Sequence, residues 1–192
     1  MKILNFGSLN IDMVYRVDHI ARPGETIASS AHEVFAGGKG ANQSAALAAA
    51  GAEVFHAGQI GPEGQWLVDK LVGFGGNMMY TLTGETPTGH AIIQVDNQGQ
   101  NSIVLFPGAN KKISHSAIDS TLSHFAQGDI LLLQNEINGI DYLIAQGKER
   151  GFKVCFNPAP YGPEVLAYPL HFVDLLIVNE TEARGLLGPA VA

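Results

Sequence analysis

The 192-residue chain has room for one full domain, and its 46% hydrophobic and 15% charged content is that of a soluble globule with a sparse charged surface. A net charge of −7 disfavours nucleic acid and anionic membrane as partners, and no apolar run approaches the roughly 18 residues that cross a bilayer. A single cysteine, Cys155, excludes an internal disulfide and points to a cytoplasmic protein with a structural thiol, and the seven histidines show no metal-ligand spacing.

In chain order, Ile3 to Gly7 reads as a buried strand rather than a signal peptide, ending in the turn Gly7-Ser8-Leu9-Asn10-Ile11-Asp12. From Met13 to Phe35 two period-2 runs flank Arg22-Pro23-Gly24-Glu25, the pattern of a hairpin. A glycine loop and an Ala/Leu-rich helix follow, with Gly51 as the C′ residue. Glu53–Gly58 is a strand, Trp66–Val72 a helix and Asn77–Leu82 a strand. Gly89–Val95 and Ser102–Phe106 flank Asp96-Asn97-Gln98-Gly99, a second hairpin. Then come a helix over 114–125, a strand over 129–134, a helix over 139–150 with Asn138 as candidate N-cap, and strands at 153–156 and 173–178.

Strand–helix alternation predicts an α/β fold, a mostly parallel sheet with helices on both faces. The two hairpins, 13–35 and 88–107, have no crossover helix and are expected to pair as a small antiparallel β lid. Residues 1–12, 36–87 and 108–192 then form the core, left incomplete where the chain stops at Leu186-Leu187-Gly188-Pro189 with no capping element.

Chemistry concentrates at the glycine loop, Gly37-Gly38-Lys39-Gly40-Ala41-Asn42-Gln43. Glycines admit positive φ and close approach, and a helix N-terminus offers free N–H groups to an anion or hydroxyl. The same stretch is equally readable as a plain loop and packing helix. It is neither a Walker A loop, which needs Ser or Thr after the lysine, nor a dinucleotide fingerprint, which needs a third glycine where Gln43 stands.

Further polar residues sit at strand ends: Asn10 and Asp12, Gln134-Asn135-Glu136, Asn157, and Asn179 with Glu182. Amides and carboxylates on one sheet edge suit a polyhydroxylated ligand, since each hydroxyl needs a donor and an acceptor. Each also has a structural reading: Asx turns for Asn10 and Asp12, a solvated turn for Glu136, a strand end for Asn157, a capping box for Asn179 and Glu182.

These motifs, together with Pro23-Gly24-Glu25-Thr26, Thr88-Gly89, Pro107-Gly108-Ala109-Asn110 and Asn157-Pro158-Ala159-Pro160, stand in an order that resembles the N-terminal part of a carbohydrate kinase of the ribokinase (PfkB) family, over essentially the whole chain. The resemblance implies ATP-dependent phosphorylation of a sugar hydroxyl, D-ribose first, with Mg²⁺, a monovalent cation in the full-length protein, and a homodimer built through the β lid. It implies that Asn10, Asp12, Gly38, Lys39, Gly40, Ala41, Asn42 and Glu136 bind the sugar, and that Asn179 and Glu182 lie toward the ATP phosphates and Mg²⁺. Two departures matter. Gly61-Pro62-Glu63-Gly64 replaces an aspartate-rich turn, and the family's Gly-Ala-Gly-Asp segment, which carries the catalytic base and anion hole, is absent. The chain is therefore expected to be inactive by itself. The other readings are a non-catalytic sugar-binding or regulatory module, or a kinase for fructose, 2-keto-3-deoxygluconate or a nucleoside.

Overall fold

A computed structural model describes residues 1–188; the expected core residues 189–192 lie outside the described residues. Six strands form one parallel sheet: β1 (Ile3–Phe6), β4 (Val54–Ile60), β5 (Asn77–Thr83), β8 (Ile130–Gln134), β9 (Lys153–Asn157) and β10 (Leu175–Leu176), in the order β10-β9-β8-β1-β4-β5. Helices α1 (Lys39–Ala49) and α2 (Gln65–Gly73) pack on one face, α3 (His115–Leu122) and α4 (Ile140–Glu149) on the other. The alternation of β1 decides this locally. Leu4 and Phe6 enter the apolar layer under α3 and α4, while Asn5 turns toward α1 and bonds its first turn.

Helix α1 begins directly at the glycine loop. Gly38, at φ +94°, is its N-cap residue, and the helix ends as expected at Gly51, φ +83°. There the Gly51 and Ala52 N–H groups return to the carbonyls of Ala48 and Leu47, closing a Schellman turn.

The second sheet comprises β2 (Asn10–Arg16), β3 (Ala31–Gly37), β6 (Gly89–Val95) and β7 (Asn101–Phe106), ordered β3-β2-β6-β7. Three expectations are corrected here. The sheet is mixed rather than antiparallel, because its central strands β2 and β6 both leave the C-terminal edge of the core and so run side by side in one direction. Its first strand starts at Asn10, and Asn10 pairs with Gly37, so Asn10 and Asp12 belong to this sheet and not to the tip of β1. The strand expected over 173–178 shrinks to Leu175–Leu176, whose residues are exposed at the outer edge of the parallel sheet. A fourth correction concerns α4: its N-cap is Gly139, φ +70°, while Asn138 exchanges two hydrogen bonds with the Ile113 backbone and pins the preceding loop. Helix α5 (Glu180–Leu187) closes the described chain.

Candidate functional site

Where the C-terminal ends of β1 and β8 meet the start of α1, three side chains and two backbone donors lock together. Ser8, fully buried, donates its hydroxyl to Glu136 Oε2 and accepts the Gly40 N–H at 3.2 Å. The same Oε2 accepts the Lys39 N–H at 2.8 Å, and Lys39 Nζ stands 4.0 Å from Oε1. The free N–H groups at the entrance of α1 thus hold a resident carboxylate, directly and through Ser8. Glu136 is oriented with one oxygen spent and the other turned to the lysine.

The facing wall comes from β2. Asn10 Oδ1 accepts a hydrogen bond from Asn110 Nδ2 at 2.7 Å, and Asn10 is almost fully buried. Two residues on, Asp12 lies over Gly37, where a Cβ would stand 2.1 Å from its carboxylate oxygen. Cross-strand register puts Asp12, Ala91, Ile93, Ile103 and Leu105 on one face of the second sheet. These apolar side chains roof a cavity of about 230 Å³ whose polar wall is Asn10, Asp12, Gly38, Lys39, Asn42 and Glu136. A larger hollow of about 540 Å³ beside α2 is lined by Val68, Val72, Gly75, Gly76, Asn77, Met78 and Met79. It carries no ionisable side chain, whereas the smaller cavity brings two carboxylates and a lysine together.

Burial, reinforced by the nearby Glu136 carboxylate, holds the Asp12 carboxyl above the usual carboxylate range. It has no hydrogen-bond or ion-pair partner among the described residues that would bring it back down. Two carboxylates facing one lysine leave the cavity without the excess of cations that a phosphorylated ligand would require.

Under the glycine loop lies a second polar layer, fully buried except at its outer member Gln43. Asn5 Nδ2 donates to the Gly40 carbonyl at 2.7 Å and to Ser44 Oγ at 2.8 Å, and Ser44 Oγ meets His56 Nδ1 at 2.8 Å. Gln134 Nε2 bridges Asn5 Oδ1 and Gln43 Oε1. His56 Nε2 faces the Gly7 carbonyl without reaching hydrogen-bond geometry, and burial depresses the imidazole to about 4. The layer fastens the first turn of α1 to β1, β4 and β8.

Of the ten residues to which the resemblance gives a binding role, six converge on the cavity. Gly40 and Ala41 do not line it: both are buried, a Cβ at Gly40 would stand 2.4 Å from Ser8 N, and the Ala41 N–H donates to the Ser8 carbonyl. Asn179 caps α5 and forms a complete capping box with Glu182 in its first turn, Asn179 Oδ1 accepting from Glu182 N at 2.8 Å and Glu182 Oε2 accepting from Asn179 N at 3.0 Å. Asn157 ties its strand to the Ile177 carbonyl. Glu63, in the departing turn, accepts the Thr88 N–H and anchors the root of β6. Sequence reasoning gave no role to Ser8, to Asn110 or to the roof residues. The motif stretches Gly7–Asp12 and Pro107–Asn110 held the first two, but their partners lie 128 and 100 residues away.

A family model described as pfkB family carbohydrate kinase matches residues 1–191. The ribokinase of Haemophilus influenzae is 36% identical over 192 residues, covering 97% of this chain and 62% of the relative. Among solved structures, ribokinase from Cryptococcus neoformans in complex with ADP superposes with a TM-score of 0.82 at 37% identity, covering 97% of this chain and 60% of that one. Arabidopsis thaliana ribokinase complexed with ribose and ATP gives a TM-score of 0.82 at 30% identity, with 96% and 62% covered. The chain thus spans less than two thirds of the length of each of these proteins.

Proposed function

Because the chain belongs to the pfkB family of carbohydrate kinases, we propose that its cavity binds a free monosaccharide, D-ribose in first place, for phosphorylation by ATP. The observation that carries this reading is the convergence of Asn10, Asp12, Lys39, Asn42 and Glu136 beneath the apolar roof. The polar wall supplies donors and acceptors for hydroxyls, and the roof covers the C–H face of a sugar ring. At about 230 Å³ the cavity suits a monosaccharide better than a nucleoside. The ligand reported in the Arabidopsis relative's structure, ribose with ATP, agrees in class.

ATP and Mg²⁺ are assigned to the α5 side. Among the described residues no group of three or more His, Cys, Asp or Glu side chains could hold a metal directly. Mg²⁺ would therefore arrive with the nucleotide phosphates, and Glu182, both of whose oxygens are already engaged by Asn179, would reach it through water. Bound there, the ion neutralises charge on the transferring phosphoryl group.

On the face turned away from the cavity the second sheet exposes Val34, Ile92, Val104 and Phe106, an apolar surface that fits a homodimer formed lid to lid. No helix among the described residues is long and apolar enough to cross a membrane. With its one unpaired cysteine, the chain is assigned to the cytoplasm.

The absent Gly-Ala-Gly-Asp segment favours a second reading for this stretch alone, a sugar-binding module without turnover. The deciding experiment is a panel of D-ribose, D-fructose, 2-keto-3-deoxygluconate and inosine, titrated by calorimetry and assayed with ATP and Mg²⁺. D-ribose is expected to bind best and to show no turnover on the 192-residue chain, with phosphorylation at kinase rates when the uninterrupted reading frame is expressed. Tighter binding of inosine would overturn the monosaccharide reading, and turnover by the 192 residues would show that the base lies within them.

A further inference from the structure

Asn110 is nearly fully buried behind the cavity and touches it only through Asn10. All its polar atoms are engaged. Its Oδ1 accepts the Leu9 N–H at 3.0 Å, and its Nδ2 donates to the Leu9 carbonyl at 3.2 Å and to Asn10 Oδ1 at 2.7 Å. Its backbone N–H donates to the Pro107 carbonyl, and its own carbonyl accepts from Asn138 N.

The order of these bonds has a direction. A backbone N–H can only give and a backbone carbonyl can only accept, so the Leu9 pair leaves the Asn110 amide one orientation. That orientation puts the second hydrogen of Nδ2 against Asn10, which must answer with its oxygen. The Asn10 Nδ2 is then left facing the cavity, with no partner among the described residues. Gly89 makes room for the contact, since a Cβ there would lie 2.2 Å from Asn110 Nδ2 and 2.4 Å from Asn10 Oδ1.

We propose that Asn110 is a positioning residue that sets the facing of the Asn10 amide, so that the sugar site receives N–H donors from Asn10 and not its carbonyl oxygen. The inference rests on the reading of the cavity as a sugar site. It names a local code: a donor at Asn10 and, two residues along the same strand face, an acceptor at Asp12. One sugar hydroxyl can accept from the first and donate to the second, and is satisfied in both capacities. A ring position lacking that hydroxyl leaves both groups unpaired, which makes the pair a discriminator against deoxy positions.

The test is a double-mutant cycle read by D-ribose titration calorimetry on the 192-residue chain, using Asn10→Ala, Asn110→Asp and the double variant, with thermal melts as the fold control. Above the pH at which the carboxyl introduced by Asn110→Asp ionises, located from the pH dependence of that variant's melt, it still accepts the Leu9 N–H but has no hydrogen to give, so the Asn10 amide turns round to donate to it. Asn10→Ala is expected to weaken ribose binding about tenfold in the parent and less than twofold in the Asn110→Asp background. Equal factors in the two backgrounds would make Asn110 a packing residue and overturn the proposal. Should Asn110→Asp fail to fold, the parent answers by NMR: ribose must shift the Asn10 side-chain NH₂ resonances, and unmoved resonances overturn the proposal. If the parent does not bind ribose, or Asn10→Ala leaves its affinity unchanged, the sugar-site reading itself falls and takes this inference with it.

Discussion

Glu136 and Lys39 meet at two points: one carboxylate oxygen caps the lysine's own main-chain N–H at 2.8 Å, and the other stands 4.0 Å from its ammonium. A side chain from the end of β8 thereby fixes the first residue of α1, and the rigid oxygen pair is what a hydroxyl would meet. Glu136→Gln keeps the shape but loses the charge. D-ribose affinity is expected to fall by on the order of 1.5–3 kcal/mol, the range for hydrogen bonds to charged groups, as read by calorimetry.

Asn42 lines the cavity from an exposed position on α1. Its replacement by alanine should weaken ribose binding by about 1 kcal/mol and leave the melting temperature within a degree or two. Gly38→Val is expected to do more damage and of a different kind. At φ +94° a branched residue is strained, and its Cβ would press on the Ser8 carbonyl at 3.0 Å and the Asn10 nitrogen at 3.1 Å. Binding and melting temperature should fall together. A variant that melts like the parent would show that the loop relaxes freely.

Asp12 is held protonated more readily in the folded chain than in the unfolded one, by burial first and by Glu136 second. Its contribution to stability is therefore present below the ordinary carboxylate pKa and lost as pH rises through the raised value. At neutral pH the ionised group is a cost to the fold. Asp12→Asn should raise the melting temperature at pH 7 while weakening ribose binding. The advantage should shrink as pH is lowered toward 4 and disappear below it. Parent and variant melting alike at pH 7 would contradict the burial argument.

His56 titrates in the opposite sense. Its folded value of about 4, against 6.5 when exposed, means that its stabilisation is complete above pH 6.5 and is lost as pH falls toward 4. The total is on the order of 3 kcal/mol, from about 1.4 kcal/mol per unit. Melting curves between pH 7 and pH 4 should show a slope in the parent that His56→Gln lacks, after subtraction of the acid sensitivity common to both proteins.

Much of the architecture was legible because each element carries its own signal. The run Ile130–Leu133 is continuously apolar, α1 is rich in alanine and ends at Gly51, and Asn97-Gln98-Gly99 makes a turn. Relationships between distant residues were not legible. Nothing local says that β2 will lie parallel to β6, since that follows from both strands leaving the same edge of the core. Strand β10 looked six residues long from composition, but only two of its residues pair, and it has a neighbour on one side only. Asn138 reads as a helix cap by spacing, and was claimed instead by Ile113, 25 residues earlier. The cavity residues were found where a polar group sits in a motif, as at Asp12 or Asn42. The roof was missed because Ala91, Ile93, Ile103 and Leu105 look like any alternating strand until register shows which face they share.

The parallel pairing of β2 with β6 has a mechanical meaning. Asn10, Gly37, Gly89 and Phe106 all lie at the end of the second sheet that joins the core, and Arg16, Ala31, Val95 and Asn101 lie at the other. The sheet is a cantilever, clamped along one rim and free along the opposite one. Seven residues extend about 23 Å, so a tilt of about 10° at the clamp lifts the far rim by about 4 Å without breaking a rung of the ladder. Asn10, beside the pivot, scarcely moves in such a swing, whereas Ile93 and Ile103 travel with the beam. A ligand that lifted the sheet in this way would displace Ile93 and Ile103 most and Asn10 least, with Asp12 between them.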